Sequence, residues 1–124
     1  MSLNILMIIV TLTAGGQHSA AFVNTASLDE CEQRARAVRA ILEAAGTPLI
    51  QIACLSSEAH FSPFSHEQSP DTARTRYFIE LSPEWAIVTK LLPGQACAVP
   101  SEASPAALTR YCATSTQTPL ATQP

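Results

Sequence analysis

A chain of 124 residues with 47% hydrophobic, 14% charged and 6% aromatic residues holds one small domain. Seven Lys and Arg against ten Asp and Glu give a formal charge of −3, and Lys90 is the single lysine. That balance argues against a surface built to neutralise phosphates, and so against nucleic acid or an anionic membrane as partner.

Residues 1–21 carry no charged side chain, and Leu3 to Leu12 is an apolar run interrupted only by Asn4 and Thr11. The run reads as the core of a signal peptide. Small and polar residues follow from Thr13 to Ala21, with Ser19 and Ala21 at −3 and −1 of a cut before Phe22. Two other readings compete, a retained membrane anchor and a buried N-terminal strand or helix. A spanning helix needs about 20 apolar residues, and Gly15, Gly16, Gln17 and His18 interrupt this segment sooner. The leader has no Lys or Arg ahead of its apolar run, which is unusual for an exported chain. On the leader reading the protein is periplasmic or extracellular, without stable membrane insertion after cleavage.

Ser27 and Glu30 form the S-x-x-E capping pattern of a helix from Leu28 to Ala45, with Asp29 and Glu30 in its electropositive first turn. Gly46 and Pro48 end it. Leu28, Cys31, Ala35, Val38, Leu42 and Ala45 recur at helical spacing and form an inward stripe. Glu32, Arg36, Arg39 and Glu43 line the solvated side, where Glu32 and Arg36 are an i,i+4 pair. Leu49 to Leu55 is a short apolar strand. Cys31 to the helix end spans about 20 Å and Leu49 to Cys54 about 17 Å, so a strand folding back under the helix brings Cys54 to Cys31. Chain entropy assigns such a bridge roughly 3 kcal/mol.

Ser56 to Ala73 has no periodicity and is long for a connection in a small domain, which marks it as a candidate interaction loop built on Glu58, His60, Phe61, Phe64 and His66. Phe61 and Phe64 serve either as exposed anchors for a partner or as staples that tether the loop. Glu58, His60, His66, Glu67 and Asp71 have side chains that bind metals or move protons, yet their spacing matches no rigid ligand motif. No metal or other cofactor is expected.

Thr75 to Ser82 and Trp85 to Leu92 read as a hairpin, with Tyr77 and Trp85 in the core. Pro93-Gly94 is a type II turn that sends Ala96 to Val99 back as a strand. Ser104 and Pro105 open a short helix to about Ala113. Thr114 to Pro124 is uncharged and poor in apolar residues, and reads as a flexible tail. Cys31, Cys54, Cys97 and Cys112 are spaced 23, 43 and 15 residues apart, unlike a zinc knuckle or a CxxC pair. Two structural disulfides, Cys31 to Cys54 and Cys97 to Cys112, and an oxidising compartment follow. With no G-x-S-x-G elbow, no Gly-rich phosphate loop and no thiol left over, catalysis is not expected.

The stretch from Glu84-Trp85 through Leu92-Pro93-Gly94-Gln95-Ala96-Cys97 resembles a pattern in small uncharacterised exported bacterial proteins, where a Trp strand precedes a Gly turn and a Cys strand. The Ala21-Phe22 entry before a Cys-bearing helix resembles them too. The resemblance implies export and carries no activity with it. The expectation is an α+β domain over 22–113, one main helix on a three- or four-stranded antiparallel sheet, stapled by two disulfides and acting by binding. The alternatives are a small metal-binding or hydrolytic protein using the 56–73 loop, and a protein anchored by its N-terminus.

Overall fold

The computed structural model describes residues 4–13, 15–62, 74–97 and 109–119. Strands β1 (Asn4–Leu12) and β2 (His18–Thr25) precede helix α1 (Leu28–Ala45), and β3 (Leu49–Ser57), β4 (Thr75–Leu81), β5 (Ala86–Lys90) and β6 (Thr109–Ser115) follow it. The six strands form one sheet in the order β3-β1-β2-β6-β4-β5. All neighbours are antiparallel except β2 and β6, which pair in parallel over His18 with Ala113 and Ser19 with Thr114. The sheet curls until its edge strands touch, through a bridge between Ser56 and Trp85 and a 3.4 Å hydrogen bond from the Ser56 N–H to the Glu84 carbonyl. The fold is α+β, with one main helix on a mixed sheet and two disulfides.

β1 owes its strand to β-branched Ile5, Ile8, Ile9, Val10 and Thr11. Gly16, at φ 81°, takes the left-handed turn position before β2, and the Gln17 N–H donates to Thr13 Oγ1. Leu6, Ile8 and Val10 point into the curl of the sheet, where they meet Phe22, Tyr77, Ile79 and Leu81. Met7 and Ile9 point the other way, onto Cys31, Ala35, Val38 and Leu42 of α1. β1 is therefore covered on both faces, which is why its sequence is continuously apolar and does not alternate.

The structure builds Asn4–Leu12 and His18–Ala21 of the N-terminal segment into the sheet. Asn4–Leu12 pairs with both β2 and β3, and His18 to Ala21 begin β2. A cut before Phe22 would remove a strand between two neighbours, together with Leu6, Met7, Ile8 and Val10, all fully buried. At about 1.5–3 kcal/mol per buried large apolar side chain, that loss exceeds much of a small domain's stability.

The capping pattern forms as expected. Ser27 Oγ accepts from the Glu30 N–H at 3.1 Å, while Glu30 reaches back to the Ala26 N–H. Gly46 closes the helix in the left-handed region at φ 72°. The stripe holds at Cys31, Ala35, Val38 and Leu42, whereas Leu28 and Ala45 at the two ends are exposed. Glu30 with Arg34, and not Glu32 with Arg36, forms the helix ion pair among the described residues. Both disulfides join the expected partners, with Cα atoms 6.0 Å apart in each.

Several expectations need correction. Among the described residues the sheet has six strands and one parallel pairing, because the N-terminal hairpin and Thr109–Ser115 add to it. Thr109 to Ala113, expected as the end of a helix, belong to β6, where Tyr111 and Ala113 pack on the core and Arg110 and Cys112 alternate with them on the other face. Thr114 and Ser115 complete that strand, and Gln117 is buried. Residues 114–119 are thus built into the fold rather than forming part of a tail. Trp85 stands at the closing bridge and is 41% exposed, whereas Tyr77 is in the core as expected. Ala96 and Cys97 are not in a strand, and residues 98–108 and 120–124 lie outside the described residues. The Pro93-Gly94 turn forms, with Gly94 at φ 81° and the Gln95 N–H on the Leu92 carbonyl.

Candidate functional site

The candidate loop begins as a fixed structure. Asn24 Nδ2 donates to the Ala59 carbonyl at 2.8 Å and to Asn4 Oδ1, while Asn24 Oδ1 accepts from the Phe61 N–H. Asn4 Nδ2 donates in turn to the Ser57 carbonyl. Phe61 is 6% exposed, stacks on Phe22 at 4.0 Å and meets Tyr77 edge-on. It is a staple and not an exposed anchor. Glu58 is exposed and His60 half-buried, and among the described residues no three of His, Cys, Asp and Glu come together. Phe64, His66, Glu67 and Asp71 lie outside the described residues.

Around this staple the interior is closed by Gln117. Its Oε1 accepts from the Phe22 N–H, and its Nε2 donates to the carbonyls of Phe22 and Ser62 at 2.7 Å each. The Tyr77 hydroxyl donates to the Gln117 carbonyl at 2.8 Å. Burial pushes the Tyr77 phenol above its ordinary value near 10, partly offset by a hydrogen bond with Thr75, and burial likewise raises Tyr111. Every polar partner here is used by the fold, so this cluster is structural.

The open feature lies on the other face of the sheet. α1 leans toward β3 and β1 and leaves the outer face of β2 partly uncovered, where Ser19 and Ala21 are too small to fill the gap. The result is a cleft of about 390 Å³. Ile9, Ala21 and Val23 form its floor, and Val38, Ile41 and Leu42 its helical wall. Thr11 and Ser19, paired across β1 and β2, sit toward one end with Thr47 from the chain just after α1. Ala20, Arg74 and Thr116 complete the described lining. Arg74 Nη2 donates to Ser19 Oγ at 2.7 Å and to the Thr114 carbonyl at 3.0 Å, and its Nε donates to Thr114 Oγ1. No Asp or Glu lines the cleft among the described residues. Its size and mostly apolar lining are those of small-molecule sites.

A second cleft, of about 330 Å³, lies beside the Cys97–Cys112 disulfide and includes His18, Arg76 and Leu91. Arg76 is committed there to the carbonyls of Leu92 and Gln95. Sequence reasoning did not single out Arg74 or the α1–β2 cleft. Val38 and Leu42 read simply as core stripe, and Ala21 and Ser19 as a cleavage site, so the shared cleft is visible only once β2 is placed. Among the described residues no helix is long and apolar enough to cross a membrane. Comparison with protein-family models, with curated proteins and with solved structures finds nothing that matches this chain.

Proposed function

We propose that the protein is a small binding domain of an exported, oxidising compartment that takes an apolar small molecule into the cleft between α1 and β2. The cleft itself carries the reading. It leaves Ile41 66% exposed beside Val38 and Leu42, and an occupant would remove this apolar surface from water. Two disulfides with no cysteine left over support the oxidising compartment. On this reading residues 1–21 stay with the domain, since β1 and β2 form the floor of the site.

Titration of the oxidised full chain with decan-1-ol, followed by amide chemical shifts, tests the proposal. Shifts concentrated at Ala21, Val23, Val38, Ile41 and Leu42, and lost in Ala21→Trp with the remaining spectrum intact, are the expected result. Shifts at Glu58, His60 and their neighbours instead would return the binding role to the loop, and saturation of no site would remove it.

A further inference from the structure

The cleft is amphipathic, and the one charge among its described lining residues is positive. Arg74 is held by Ser19 and Thr114 through Nε and Nη2, while Nη1 makes no hydrogen bond among the described residues and no carboxylate among them pairs with the guanidinium. Its donors to neutral oxygens fix the plane of the group without neutralising it. A guanidinium held in place at the edge of an apolar cleft suits a carboxylate, which it can meet with two parallel hydrogen bonds. Thr11, Ser19 and Thr47 add hydroxyls to the lining, whereas Ile9, Ala21 and Val23 offer nothing but hydrocarbon.

Resting on the reading of this cleft as the binding site, we propose that its ligand is a free single-chain amphiphile with a carboxylate head, the carboxylate on Arg74 and the hydrocarbon along β2 under Val38, Ile41 and Leu42. A cationic amphiphile would be repelled by the guanidinium of Arg74. A bilayer surface is the weaker occupant, since the chain carries a net charge of −3 and anionic headgroups would be repelled by it.

The test compares decanoate, decan-1-ol and decyltrimethylammonium, each below micelle formation, by calorimetry on the oxidised full chain. Decanoate should bind one to one and about tenfold or more tighter than the alcohol, the scale of a charge-assisted hydrogen bond. Arg74→Met should bring decanoate down to the alcohol's affinity. Because Arg74 also braces β2 against β6, a second variant is needed that leaves those bonds alone. Ile41→Glu, at a 66% exposed position, places a carboxylate at the cleft wall and should weaken decanoate by a larger factor than it weakens decyltrimethylammonium. Equal affinities for decanoate and decanol would overturn the carboxylate assignment and leave the cleft standing as an apolar site, whereas a decanoate affinity indifferent to both substitutions would put its binding outside the cleft and overturn both. Failure of all three probes would overturn both. Binding to phosphatidylglycerol vesicles without binding of free decanoate would assign the face to a lipid surface and refute the free amphiphile.

Discussion

The side-chain amide of Gln117 occupies the place of a neighbouring strand beside Phe22, taking its N–H at 2.8 Å and giving a hydrogen to its carbonyl at 2.7 Å. β2 and β6 pair over only two residues before they diverge, and the Gln117 amide supplies the missing rung across that divergence. Gln117→Ala leaves a buried N–H and carbonyl on Phe22 without partners. It should cost about 2–4 kcal/mol, from the unsatisfied groups and the space left behind. Gln117→Glu, which keeps the acceptor and loses the donor, should be at least as damaging near neutral pH. Urea denaturation of oxidised protein measures both, and a loss below about 0.5 kcal/mol, the range of an ordinary surface change, would show the rung to be dispensable.

A chain that begins at Phe22 lacks β1 and the first four residues of β2. It should not reach the native state under conditions where the full chain folds. A dispersed amide spectrum from the shortened chain would contradict the arrangement in which Asn4–Leu12 lies between β2 and β3.

Replacing Cys31 and Cys54 together by serine opens a loop of 23 residues, and replacing Cys97 and Cys112 opens one of 15. Each change should lower stability by about 3 kcal/mol. Intact mass should show four alkylations only after reduction, and alkylation of the unreduced protein would refute the pairing.

Much of the fold could be read from residues, and the failures share a cause. The helix from Leu28 to Ala45 was legible because its signals are local: a capping serine, a glycine stop and an apolar stripe. The pairing of Cys31 with Cys54 followed from rise per residue. β1 was hard to read as a strand because burial on both faces erases the alternation that marks one, leaving a run with the hydropathy of a leader; its β-branched content was the local sign of a strand. Thr109 to Ala113 and Gln117 were misplaced because their partners, Thr75–Leu81 and Phe22, are distant in the chain and no local pattern announces them. Arg74 was missed for the same reason, since its role depends on Ser19 and Thr114 coming together across the parallel seam.

Tyr77 and Tyr111 have phenol pKa values raised by burial. The neutral phenol is the form the folded state prefers, so their contribution is fully present below the unfolded pKa near 10 and is lost as pH rises through the higher folded values. The melting temperature should fall more steeply above about pH 10 than below it. Tyr77→Phe and Tyr111→Phe should each flatten that decline. An alkaline limb unchanged in both variants would assign it to other groups.

The two disulfides are distributed in a way that shapes how the molecule comes apart. Cys31–Cys54 ties α1 to β3 and lies entirely within the first half, and Cys97–Cys112 lies entirely within the second. Besides their shared core, the halves meet among the described residues along the short β2–β6 ladder with its Gln117 rung and along the Ser56–Trp85 bridge, two rims neither of which is cross-linked. Covalent reinforcement therefore resists the unravelling of each half but not their parting. Hydrogen exchange in the oxidised protein should reach the inward-facing amides through this parting, a joint opening of both rims at a free energy below that of global unfolding.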